Sequence, residues 1–124
     1  MGNSDTPTDD YLDLAALEDV PMDGQLALTA NGRKVLLCRI PDGVYAMADN
    51  CPHAHQTLAG GPIRGTVIRC PRHGACFDLT TGKSLTPISR QPLTMFPVVV
   101  RDGRVLVKVP APITGFMPDF SGRP

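Results

Sequence analysis

Two short motifs, Cys51-Pro52-His53 and Cys70-Pro71-Arg72-His73, constrain this chain more than any other feature. Sixteen residues separate His53 from Cys70, so the pattern reads C-x-H-x16-C-x2-H. Ala48-Asp49-Asn50 ends a strand just before Cys51, and Thr66-Val67-Ile68-Arg69 delivers the chain to Cys70. Each Cys therefore stands at a strand end, with its His on the turn beyond. Gly60-Gly61-Pro62 and Gly65 shape a hairpin between the motifs. Both loops can then converge from one end of a sheet, their backbone N–H groups curled toward the sulfurs.

The rest of the chain reads as short strands between turns. Pro accounts for 13 of the 124 residues and Gly for 12, about twice the usual ~5% for Pro, which disfavours long helices. Asp10 to Leu17 is expected to begin as a strand and end in a helical turn at Ala15-Ala16-Leu17-Glu18. A turn at Pro21–Gly24 leads to a strand over Gln25–Ala30, and Asn31-Gly32, a strong hairpin signal, leads to Arg33–Ile40. Pro41-Asp42-Gly43 turns the chain into Val44–Ala48. Thr94–Val100 and Gly103–Val109 flank a last hairpin, Arg101-Asp102-Gly103. There Val105, Val107 and Val109 alternate with Leu106 and Lys108, the period of a half-buried strand. The fold class is all-β, a small sandwich or barrel.

A chain of 124 residues forms one domain with a core of its own. Twelve basic and twelve acidic side chains cancel, so no nucleic-acid or anionic-membrane partner is expected. The polar start, Met1–Asp10, lacks the apolar core of a secretory signal, and no run approaches the ~18 apolar residues of a membrane span. A cytoplasmic location is expected, where disulfides are disfavoured. Of the remaining cysteines, Cys38 lies in the apolar run Val35–Ile40 and reads as a buried, inert thiol. Cys76 reads as packing beneath the site. Residues 1–9 are expected to be disordered, and Phe116, Met117 and Phe120 could anchor the tail 111–124 to the body.

Two thiolates and two imidazoles in mixed order suit one [2Fe–2S] cluster, with two Cys on one iron and two His on the other. Two ferric ions, two sulfides and two thiolates sum to zero charge when the imidazoles are neutral. An all-Cys cluster starts two units more negative, so the mixed set is easier to reduce. Potentials of such centres run from roughly −150 to +300 mV, against about −400 mV for plant-type ferredoxins. A reduced cluster also holds imidazole protons more tightly. The potential is therefore expected to be level at neutral pH and to fall in alkali.

Residues 10–110 resemble a Rieske-type ferredoxin, the small soluble carrier of bacterial ring-hydroxylating dioxygenase systems. The resemblance is carried by Cys51-Pro52-His53, Cys70-Pro71-Arg72-His73-Gly74, Phe77-Asp78 and the Thr81-Gly82 turn. It implies the Rieske fold: three stacked antiparallel sheets with a small cluster-binding subdomain, about residues 48–90, formed by two loops. It further implies that Cys51 and Cys70 ligate an inner iron and His53 and His73 an outer one. The respiratory branch of the family carries an extra Cys in each ligand loop, joined by a disulfide; here those positions hold Gln56 and Arg72. That branch also places Ser and Tyr hydroxyls against the cluster sulfurs, where this chain has Ala75 and Phe77. Fewer hydrogen bonds to sulfur imply a low potential.

By the same resemblance the chain would be no enzyme but a one-electron carrier between an NAD(P)H-dependent flavoprotein reductase and a terminal oxygenase. Its docking surface would be built from Ala54, His55, Leu58 and Arg72 around the imidazole edges, with Pro87 in a third covering loop. His55 reads as a solvent-facing loop residue. With three His in all, the chain cannot also build the mononuclear iron site of an oxygenase. Two alternatives stay open: the small Rieske subunit of a nitrite-reductase-like enzyme, and a structural zinc module on the same four ligands. Zinc sites usually pair like ligands within a loop, which each loop here does not.

Overall fold

The computed structural model describes residues 11–52, 56–71, 74–86 and 91–110. Among the described residues, ten strands lie in three antiparallel sheets. In chain order they are β1 (Leu12–Ala16), β2 (Gly24–Ala30), β3 (Arg33–Ile40), β4 (Gly43–Ala48), β5 (Ile63–Arg64), β6 (Val67–Arg69), β7 (Cys76–Asp78), β8 (Met95–Phe96), β9 (Val98–Arg101) and β10 (Arg104–Val107). The sheets run β9-β10-β1, β2-β3-β4-β8 and β5-β6-β7.

The central sheet is covered on both faces, which explains why β3 is apolar without alternation. Val35 and Leu37, with Ala46 of β4, pack against Val105 and Val107 of the first sheet. Leu36, Cys38 and Ile40, with Met47, pack instead against Ile68 and Phe77 of the third. The small sheet thus lies directly on the face that Cys38 occupies. Burial pushes the Cys38 thiol up to about 12, with a further push from the charge of Asp49.

The Asn31-Gly32 hairpin forms as expected, with φ of +52° and +73° at the two turn residues. Those left-handed angles give the turn a twist that matches the flanking strands. β2 pairs with β3 from Gly24↔Arg39 to Ala30↔Arg33. The side chains of Asn31 and Arg33 then donate to the carbonyls of Val109 and Pro110, at 2.8 Å each.

Three local expectations are corrected. Thr94–Val100 is two strands, because β8 pairs with β4 while β9 pairs with β10. Pro97 sits at the switch between sheets, where its missing N–H costs the ladder nothing. Its carbonyl still accepts from Lys108 N–H at 3.0 Å. The helical turn starts at Leu17 rather than Ala15, since Ala15 and Ala16 remain paired with β10. Finally, Leu106 is buried like Val105 and Val107, beside an irregularity in the β10–β1 register. The expected disorder of residues 1–9 and the anchoring of the tail 111–124 lie outside the described residues.

Candidate metal centre

β4 of the central sheet ends at Ala48, three residues before Cys51, and β6 of the small sheet ends at Arg69, one before Cys70. Both loops close in the same way. Cys51 N–H donates to the Gln56 carbonyl at 2.6 Å, and Cys70 N–H donates to the Ala75 carbonyl at 2.7 Å. Each Cys thus anchors a loop whose far end returns five residues later. Both side chains are buried, at 0% and 1% exposure. They belong to one apolar cluster with Leu58, Ile68, Ala75 and Phe77.

The structure therefore brings Cys51 and Cys70 into one low-dielectric pocket. His53 and His73, and with them Ala54, His55, Arg72 and Pro87, lie outside the described residues. Among the described residues no group of three His, Cys, Asp or Glu side chains could hold a metal ion. A donor set for a [2Fe–2S] group would combine the two buried sulfurs with ligands from residues 53 and 73. Two thiolates buried with no cation beside them would be costly, and a positively charged di-iron core offsets that cost. The residues present fit such a group.

Three features escape the motif. The first is Asp49, only 8% exposed. One carboxylate oxygen accepts from Thr57 Oγ1 at 2.7 Å, Leu58 N–H at 2.7 Å and Ala59 N–H at 3.0 Å. This pins the chain just beyond Gln56 to the residues just before Cys51. The second is Gln25, whose side chain accepts from Gly60 N–H at 2.8 Å and donates to the Gly61 carbonyl. It ties the turn between the two motifs to β2, some 35 residues away. The third is Gly61 itself, where a Cβ would overlap the Arg69 carbonyl oxygen. None of these has a local signal, because each depends on a partner distant in sequence or on backbone approach.

Loop two relies on backbone instead. Gly74, at φ +77°, donates its N–H to the Cys70 carbonyl at 3.0 Å, and the Arg69 guanidinium lies over it. Beyond it, Asp78 accepts from Thr80 N–H and Oγ1, which holds its carboxyl below the usual range. The Gly82 N–H donates to the Asp78 carbonyl at 2.6 Å, closing the Thr81-Gly82 turn.

Two expectations about neighbours change. Leu58 is fully buried in the core of the site, so it cannot line a docking surface. Cys76 does not pack beneath the site: it pairs with Arg69, on the face opposite buried Phe77. It is half-buried there, with its thiol 3.5 Å from the Gly74 carbonyl. Ala75 and Phe77 are both fully buried, and neither brings a hydroxyl to the pocket.

Residues 10–97 match the model of the Rieske [2Fe-2S] domain. The chain belongs to that family. Its cofactor is accordingly one Rieske-type [2Fe–2S] cluster, which sets aside the zinc module. The ferredoxin component of the naphthalene 1,2-dioxygenase/salicylate 5-hydroxylase systems of Ralstonia sp is 32% identical over 103 residues, covering 82% of this chain and 98% of that protein. A chain of the complex of reduced oxygenase and oxidized ferredoxin in carbazole 1,9a-dioxygenase superposes with a TM-score of 0.74 at 31% identity, covering 80% of this chain and 93% of that one. A protein assigned as a nitrite reductase NADPH small subunit reaches 0.69 at 27% identity, covering 78% and 96%. The Rieske fold with stacked antiparallel sheets is thus the fold of this chain.

Proposed function

We propose that this Rieske protein is the ferredoxin of an aromatic-ring dioxygenase system. It would pass single electrons from an NAD(P)H-dependent flavoprotein reductase to a terminal oxygenase in the cytoplasm. Cys51 and Cys70 would hold the inner iron and His53 and His73 the outer one. When bound, the cluster supplies one-electron uptake and release at a modest potential. The chain's own residues do the rest. Leu58, Ile68, Ala75 and Phe77 exclude water from the sulfur side, and Asp49 fixes loop one. The buried pair of cysteines at equivalent loop positions carries this reading, with the full-length likeness to dioxygenase ferredoxins in support. Among the described residues no helix is long and apolar enough to cross a membrane.

The test is a redox titration of the purified protein, followed by EPR of its reduced state. A Rieske signal is expected with a midpoint on the order of −150 mV, level at neutral pH and falling in alkali. A midpoint several hundred millivolts higher would contradict the carrier role and favour a respiratory one. The likeness to a nitrite reductase small subunit supports a second reading, a subunit of such an enzyme. Restoring dioxygenase turnover in a mixture of reductase and oxygenase separates the two.

A further inference from the structure

The small sheet has one face in the core, formed by Ile63, Ile68 and Phe77, and one face turned out. The segment after β7 continues the pairing through an isolated bridge. Ser84 bridges to Phe77, Leu85 N–H donates to the Cys76 carbonyl at 2.8 Å, and Asp78 N–H donates to Lys83 at 2.9 Å. This register sets two rows on the outer face. The row nearer the Cys70 loop holds Pro62, Arg69, Cys76 and Leu85. The next holds Arg64, Val67, Asp78 and Lys83.

The composition of this face is unlike that of the chain as a whole. The molecule is neutral, yet the described residues of the face include three cations and one acid, and that acid is already held by Thr80. Arg64 and Arg69 border an open groove floored by Pro62, Val67 and Cys76. At its side stands Leu85, 48% exposed and one of three large apolar side chains so exposed among the described residues. An apolar centre with a polar, charged rim is the anatomy of a protein interface. The sign of the rim fixes the partner's chemistry.

We propose that the outer face of the small sheet is a docking surface for an acidic-rimmed apolar patch on the protein that accepts electrons from this chain. The inference rests on Cys51–Gln56 and Cys70–Ala75 being the cluster loops, since Arg69 precedes Cys70 and its guanidinium lies over Gly74. Positive charge beside the Cys70 loop steers an acidic partner into place and repels a basic one.

The experiment is stopped-flow mixing of the reduced, cluster-loaded protein with two acceptors at several salt concentrations. One is a blue-copper protein with a strongly acidic surface; the other is cytochrome c, which is basic. In each reaction one electron leaves the protein and reduces one Cu(II) to Cu(I) or one Fe(III) to Fe(II). The rate with the acidic acceptor is expected to fall as salt rises, and the rate with cytochrome c to rise. In R64E/K83E the acidic-acceptor rate at low salt should drop about tenfold, with the EPR signal unchanged. Leu85→Ser should lower that rate at all salt concentrations. Arg101→Glu, on β9 of the far sheet, should leave it unaltered. Equal salt dependence in R64E/K83E and the parent, or an equal loss in Arg101→Glu, would overturn the docking surface while the carrier role stands. A purified protein without the Rieske EPR signal would overturn both.

Discussion

The two cysteine loops close over the same five-residue span, yet different physics braces each of them. Loop one, from Cys51 to Gln56, depends on a buried charge: Asp49 gathers three donors from Thr57, Leu58 and Ala59. Loop two, from Cys70 to Ala75, depends on a backbone conformation at Gly74 and on its N–H bond to Cys70. Charge-assisted hydrogen bonds in a buried setting are strong, but three that share one acceptor fail together when that acceptor goes. A left-handed glycine, in contrast, is a local device whose loss costs only its own strain. The site is therefore robust on one side and brittle on the other.

The largest effect is expected at Asp49. Replacing it by Ala leaves the buried Leu58 N–H without its acceptor, roughly 1–3 kcal/mol, and removes the weaker bonds of Thr57 and Ala59, of which Ala59 N–H keeps Thr57 Oγ1 at 3.1 Å. Together these losses amount to about 4 kcal/mol. Thermal unfolding and loss of cluster absorbance should reveal both the destabilisation and a failure to hold the cluster. Asp49→Asn retains an accepting oxygen and should lose about half as much. If the Asn variant were as damaged as the Ala variant, charge rather than the hydrogen bonds would be the brace.

Gly61→Ala comes next, because the added Cβ meets the backbone oxygen of Arg69, which cannot step aside. Overpacking of this kind costs about 3 kcal/mol, read as a lower urea midpoint. Gly74→Ala should cost less, about 1 kcal/mol for the left-handed backbone. The nearest atoms there belong to the flexible end of Arg69, 3.2 Å away. A Gly74 variant as damaged as the Asp49 one would erase the contrast between the loops.

The smallest effects concern the two remaining thiols. Cys38 holds its proton to about 12 because it is buried between sheets. An unfolded chain releases that proton near the ordinary thiol value, so the folded state binds more protons between the two. The stability from this group is complete below the unfolded value and is lost as pH rises toward 12. At pH 8, iodoacetamide should modify half-buried Cys76 and spare Cys38 in the native protein. Alkylation of Cys38 at the same rate would show that the sheets separate readily.

Legibility in the sequence follows the same division between local and distant causes. β3 stands at Arg33–Ile40 as read, because its turn residues and apolar run are both local. The hairpin at Asn31-Gly32 was legible for the same reason. Thr94–Val100 was misread because Pro97 allows either one edge strand or a change of sheet, and only the partners decide. β5, with two residues, is too short to show a period. At the site, the spacing of Cys51 and Cys70 marked two cysteines that the fold buries at matching loop positions, while His53 and His73 lie outside the described residues. The bracing by Asp49 and Gln25 was unmarked, since hydrogen bonds to partners as far as 36 residues away leave no pattern. Leu58 and Cys76 were each assigned to the wrong face, because the faces of a loop and a three-residue strand are set by what packs on them.

The most direct measurement is pulsed EPR of the reduced protein, which counts the nitrogens coupled to the cluster. Two strongly coupled nitrogens, lost one at a time in His53→Cys and His73→Cys, are the predicted result. A spectrum with no coupled nitrogen in the parent protein would contradict the mixed ligand set and the carrier role built on it.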